Sequence, residues 1–86
     1  MNERIIDCTK IRCREDLHRI FRESLSFPEW YGNNLDALHD CLTDISGKVR
    51  LLDWDVAENN LGPYGVKAKQ VILTAALENT ALDLYI

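Results

Sequence analysis

The sequence predicts an α/β fold in which three to four helices pack on a three-stranded parallel sheet. Strand-like and helix-like segments alternate along the chain, one segment has a clear helical periodicity, and the chain has 86 residues. Strands separated by helices favour parallel pairing through right-handed crossovers. We expect residues 1–86 to form a single domain, because this length supports one modest core.

The first half of the chain begins with a strand and a helix. Residues 4–8 have a β-branched, apolar centre and predict a short strand. Residues 14–25 predict an amphipathic helix, because charged residues alternate with apolar ones at helical spacing, namely Leu17, Ile20, Phe21 and Leu25. Pro28 lacks an N–H group and stops any helix, so we expect a loop over residues 28–34.

The second half of the chain repeats the strand–helix order. We predict a largely buried strand over residues 49–54 with Trp54 in the core, one or two helical turns over 55–60, a surface connection at the Gly- and Pro-containing residues 61–65, a helix over 66–79 and a final strand over 82–86.

The bulk composition limits the function. Apolar residues make up 47% and charged residues 28% of the chain, with a net charge of −4. An acidic chain is a poor direct binder of nucleic acid, which attracts cationic surfaces, but it suits a basic protein partner. No apolar run approaches the roughly 20 residues that cross a bilayer, and the N-terminus has no signal-peptide pattern. We therefore expect a cytoplasmic protein that does not bind membranes.

The cysteines and histidines indicate neither a metal site nor a catalytic site. Cys8, Cys13 and Cys41 are odd in number and form no CxxC pair, so we expect free thiols, with Cys41 in the core. The chain has no Gly-rich phosphate loop and no nucleophile with an evident base. We predict no cofactor, no metal, no catalytic residue and no enzymatic activity, with His18 a packed helix residue beside Asp16 or the sheet.

A second helix is predicted over residues 34–45, with Asn34 as its N-cap. Its apolar residues share one third of the helix circumference: Leu35, Leu38, Cys41, Leu42 and Ile45. Its polar residues share another third, which we call the acidic face: Asp36, His39, Asp40 and Thr43.

The acidic face has two interpretations. Most amphipathic helices simply have a solvated polar face. Here, however, Asp36 and Asp40 are like charges one turn apart, which costs helix stability. The adjoining Trp30 and Tyr31 are aromatics of the type enriched at binding hot spots. We interpret Trp30, Tyr31 and the acidic face as a protein-binding surface. Gly32 between them indicates a positive φ or a close backbone approach.

A long motif resembles the barstar family, the intracellular inhibitors of the secreted ribonuclease barnase. The resemblance rests on Asp16, Leu17, His18, Leu25 and the ungapped run 28–43, PEWYGNNLDALHDCLT. It covers the first half of the chain in residues and the second half in pattern. It implies a barstar-like fold and a monomer that binds a basic microbial ribonuclease one to one.

The resemblance also implies roles for individual residues. Asp40 would occupy the phosphate site of the nuclease, against arginines and a catalytic histidine. Asp36 would meet a further basic residue, and Trp30 would pack on that histidine. The remaining partner-binding residues would be Tyr31, Gly32, Asn34, Leu35, His39, Thr43 and Asp44.

Departures from the family pattern leave the identity of the target nuclease undetermined. His39 stands where the best-known member has tryptophan, and Asp44 and Ile45 replace a Gly–Trp pair. Glu78 is the nearest counterpart of the family's acid on the last helix. An immunity protein against a different basic toxin delivered between bacteria is therefore an alternative. A small hydrolase that uses His39 is a third, which we do not favour.

Overall fold

The structure is a computed structural model and describes residues 3–86; Met1 and Asn2 lie outside the described residues. Its elements are, in chain order, β1 (Glu3–Asp7), a 3-10 turn (Cys8–Lys10), α1 (Arg14–Leu25), α2 (Leu35–Leu42), β2 (Gly47–Leu52), α3 (Trp54–Leu61), α4 (Pro63–Glu78) and β3 (Leu82–Tyr85). The predicted α/β class, with three strands and four helices, is confirmed. None of the helices in residues 3–86 combines the length and the hydrophobicity that a membrane span requires.

The sheet is parallel throughout, with β2 between β1 and β3. Inward side chains such as Ile6 and Val49 are buried, whereas Ile5 and Arg50 on the other face are exposed. The prediction that the second strand is largely buried is therefore wrong for alternate residues. Among residues 3–86, only one face of the sheet is covered by other elements, so burial along the strands follows a period of two.

The first helix has the bounds that its periodicity predicts. It buries Leu17, His18, Phe21 and Leu25 and ends where Ser26 takes a left-handed conformation, with φ 56°. The predicted loop follows this helix, and residues 26–34 contain no helix or strand.

The second helix is shorter than predicted. It begins after Asn34 but ends at Leu42, three residues before Ile45. The Thr43 hydroxyl donates to the carbonyl of Asp40, and the Asp44 N–H donates to the carbonyl of Cys41. These bonds tighten the last turn, as is common at helix C-termini. Asp44 therefore lies beyond the helix.

Two predictions in the second half are corrected. Trp54 is buried as expected, but it begins α3 instead of ending the strand. The sequence predicts a surface connection at residues 61–65. In the structure Gly62 alone separates α3 from α4, and it has φ 63°. Pro63 is the first residue of α4, a position where the missing N–H is not needed for a helical bond.

The core lies between the covered face of the sheet and the helices. Its largest fully buried side chains are Ile6, Ile11, Leu17, Phe21, Leu25, Leu38, Leu42, Val49 and Ile72. Cys8 and Cys41 are buried and Cys13 is exposed, and all three are free thiols. The core therefore holds the apolar side of α2, which turns the acidic face of that helix outward.

Candidate functional site

The two carboxylates of α2 lie on the surface. Asp36 is exposed, and the side chain of Asp40 is 84% exposed, while Leu38 between them is fully buried. The apolar arc thus orients the helix, and the like charges one turn apart face solvent. These carboxylates are accessible to a partner in the free protein.

His39 connects the acidic face to the last helix. Its Nε2 lies 2.7 Å from Oε1 of Glu78 at the end of α4, and its Nδ1 lies 3.6 Å from Oδ1 of Asp40. The hydrogen bond to Glu78 raises the pKa of His39, and the Asp40 carboxylate adds to this. The structure therefore places Glu78, which the sequence suggested only by analogy, beside the acidic face.

Asn79 fixes the end of α2, a role that sequence reasoning missed. Its side-chain Nδ2 donates to the carbonyls of Leu42, at 2.9 Å, and Ile45, at 2.7 Å. The Leu42 carbonyl is in the last turn of α2 and the Ile45 carbonyl lies just beyond it, where helical carbonyls lack an intrahelical partner. The asparagine at the end of α4 was the only signal in the sequence, and its partner 37 positions away could not be read from it.

The two neighbouring aromatics have opposite environments. Trp30 is 79% exposed, whereas Tyr31 is only 4% exposed. The Tyr31 ring is packed in the core of the free protein and is not exposed to a partner there, and a contact of Tyr31 with a partner stays a prediction. The ring contacts Phe27, with centroids 5.0 Å apart. Trp30 alone presents a large apolar ring on this loop.

Tyr31 holds the loop through a buried histidine. The Tyr31 hydroxyl lies 2.7 Å from Nδ1 of His18, and the Tyr64 hydroxyl lies 2.7 Å from Nε2 of the same ring. His18 is 2% exposed, and burial lowers its pKa. Burial likewise raises the pKa of Tyr31. This triad joins α1, the loop and α4, and His18 packs here instead of beside Asp16.

The start of α2 is organised by Asn34. Its Oδ1 accepts from the N–H of Ala37 at 2.8 Å, and its Nδ2 donates to the carbonyl of Gly32 at 3.2 Å. A Cβ on Gly32 would lie 3.0 Å from that amide nitrogen. Close approach therefore accounts for Gly32, and the positive φ belongs to Asn33, at 54°. The N-cap prediction is confirmed.

The remaining predicted contact residues border the same surface. Leu35 and Thr43 are half-buried and Asp44 is exposed.

Within residues 3–86, no group of three or more His, Cys, Asp or Glu side chains is arranged to hold a metal ion. The arrangement combines surface carboxylates with one exposed ring on a well-anchored helix and loop.

An exposed aromatic ring beside accessible charge is suited to contact with another protein. Residues 1–82 match the family described as Barstar (barnase inhibitor), and the chain belongs to this family. A Bacillus subtilis (strain 168) protein named "Putative ribonuclease inhibitor YrdF" is 37% identical over 81 residues, covering 91% of this chain and 89% of that protein. The three-stranded parallel sheet with its helices agrees with the barstar-like fold.

Proposed function

We propose that this chain inhibits a barnase-like ribonuclease by placing its acidic face in the cationic active site. The observation that carries the proposal is the exposure of Asp36 and Asp40 one turn apart on a helix whose opposite side is buried. Family membership and the name of the Bacillus subtilis relative support a ribonuclease inhibitor over an enzyme.

The chemistry of RNA cleavage makes carboxylates suitable inhibitors. A ribonuclease concentrates positive charge where it stabilises the phosphate in the transition state. A carboxylate on a rigid helix mimics that phosphate and accepts charge-assisted, often bidentate hydrogen bonds from arginine. Asp40, the more C-terminal of the two, would take the phosphate position, and Asp36 would meet a second cation.

The surroundings of the carboxylates supply the rest of the contact. The exposed ring of Trp30 would bury apolar area against the nuclease, and Glu78 adds a third carboxylate beside His39. Clustered negative charge accelerates encounter with a basic partner. Anchoring by the Asn34 cap and by Asn79 reduces the ordering cost of binding.

Inhibition assays with single-residue variants test the proposal. Asp40→Ala should weaken inhibition of a basic microbial ribonuclease at least about 100-fold, because it strands buried cationic groups of the nuclease without a partner. Asp83→Ala on β3 removes an equal charge from an exposed position away from α2 and is the matched control. Equal inhibition by the two variants would refute the mechanism.

A different basic toxin remains the second candidate target. The observation that favours it is His39, which departs from the family pattern. The His39 ring is bonded to Glu78 and places a titratable group at the middle of the acidic face. Inhibition assays against a panel of basic nucleases separate the two targets, because this chain should inhibit its own partner most strongly. We further propose that the chain is cytoplasmic and that it is a monomer that binds one to one. Light scattering of the free protein and of the complex tests the monomeric state and the stoichiometry.

A further inference from the structure

A second charged feature borders the start of α2 and shares Asp36 with the acidic face. Four cationic side chains line one cleft of about 800 Å³ between α1 and α4, and we call it the basic cleft. The cations are Arg14, Arg19, Arg22 and Lys67, and the only carboxylates among the residues that line the cleft are Glu15 and Asp36. The chain as a whole has ten basic and fourteen acidic residues, so this excess of positive charge runs against its composition.

Most of these cations lack an ionic partner. Arg19 pairs with Asp16 at 2.9 Å. Across the part of the chain that the structure describes, no carboxylate oxygen comes within 4.0 Å of the charged nitrogens of Arg14, Arg22 or Lys67. Positive charge in the cleft is therefore largely uncompensated by the protein itself.

Arg14 occupies an unfavourable position on its own helix, whereas Arg22 lies in the last turn of α1, where the helix dipole favours a cation. Arg14 is the first residue of α1, where the helix dipole disfavours a cation. Its guanidinium lies 4.6 Å from the centroid of the Tyr64 ring, and the Tyr64 hydroxyl is fixed by His18. This cation–π contact positions a guanidinium, a planar group with five N–H donors, among the residues that line the cleft. The cleft thus has at least one oriented donor group as well as diffuse positive charge.

We infer that the basic cleft binds a small phosphate-bearing anion such as inorganic phosphate or a mononucleotide. Guanidinium and ammonium groups from two helices surround a space in the size range of small-ligand sites. A phosphate dianion would neutralise the excess of two positive charges among the lining residues. The exposed side chain of Asn33 at the rim could bond to a base or sugar. This inference does not depend on ribonuclease inhibition.

Amide chemical shifts of the full-length protein test the site with three probes. Inorganic phosphate and uridine 5′-monophosphate should both shift the amide signals of α1 and α4 residues in the cleft, and uridine should not. Tighter binding of the nucleotide than of phosphate would identify a nucleotide as the ligand, and equal binding would identify free phosphate. Either result supports the phosphate site, whereas no response to both at millimolar concentration would refute it.

Two variants on one helix provide the matched comparison. Lys67→Gln should weaken phosphate binding roughly tenfold, because one charge-assisted contact is lost. Lys69→Gln makes the same change two residues along α4, at a side chain that borders a different, acidic cleft with Asp53 and Asp55. Equal affinities of these two variants would contradict the inference. Thermal unfolding of both variants confirms that they are folded.

Discussion

Nε2 of His39 lies 2.7 Å from Oε1 of Glu78, across the contact between α2 and α4. The other ring nitrogen faces the Asp40 carboxylate at 3.6 Å. The imidazole therefore lies between two acids of different helices. Protonation of His39 reduces the negative charge of the acidic face, so the charge offered to a basic partner depends on pH.

The two histidines should titrate on opposite sides of the ordinary value of 6.5. The hydrogen bond to Glu78 raises the pKa of His39, whereas burial lowers the pKa of His18. Nuclear magnetic resonance titration of the imidazole signals measures the pKa values of both histidines. Glu78→Gln should move the pKa of His39 downward and leave His18 unchanged; a shift of both would point to a general structural change.

The His39–Glu78 pair should make the free energy of unfolding depend on pH. The folded state holds the His39 proton more tightly than the unfolded chain, so the pair stabilises the fold below about pH 6.5 and this contribution is lost as the pH rises through the raised pKa of His39. His18 acts in the opposite sense, because its lowered pKa disfavours the folded state as the pH falls below 6.5. Urea unfolding should show that Glu78→Gln loses more stability at about pH 5 than at about pH 8. An equal loss at both values would exclude a charged pair.

Removing one hydroxyl from the buried triad should destabilise the protein. Tyr31→Phe leaves Nδ1 of His18 without a partner in a site that is 2% exposed, so we expect a loss of about 1–3 kcal/mol in the free energy of unfolding. Tyr85→Phe removes a hydroxyl from an exposed ring and is the control. Denaturant unfolding of the two variants makes the comparison. If Tyr31→Phe is as stable as the control, the triad does not hold the loop.

The Asn34 cap should be separable from any contact that Asn34 makes with a partner. Asn34→Ala removes the acceptor for the Ala37 N–H and should cost about 1 kcal/mol of unfolding free energy. Asn34→Asp keeps an acceptor oxygen at the helix start and should restore most of that loss. Restored stability with impaired nuclease inhibition in Asn34→Asp would assign a direct binding role to the amide. An Asp variant as unstable as the Ala variant would contradict the capping role.

The junction of α3 and α4 should tolerate no side chain at Gly65. A Cβ there would lie 2.8 Å from both Cα and the carbonyl oxygen of Glu58, and backbone atoms cannot yield as a side-chain tip does. Gly65→Ala should therefore cost about 1–3 kcal/mol, despite the better helix propensity of alanine. Gln70→Ala, at an exposed position of the same helix, should be nearly neutral. Thermal unfolding distinguishes them, and similar midpoints would show that the helices can move apart.

The sequence by itself determined those features whose causes are local. The spacing of Leu17, Phe21 and Leu25 is a property of one helix, and so is the placement of Asp36 and Asp40 opposite Leu38. Side chains three and four positions apart share a helix face in any fold, which is why these predictions held. The family resemblance was carried by the same local run.

Only the tertiary structure decided the environment of side chains that meet across the chain. Nothing local distinguishes Trp30 from Tyr31. The Tyr31 ring packs in the core, where its hydroxyl meets His18, 13 positions away, and the other nitrogen of His18 meets Tyr64, 46 positions away. The His39–Glu78 pair spans 39 positions, and the basic cleft combines cations from two helices. These contacts depend on how the helices pack, which short-range periodicity does not encode.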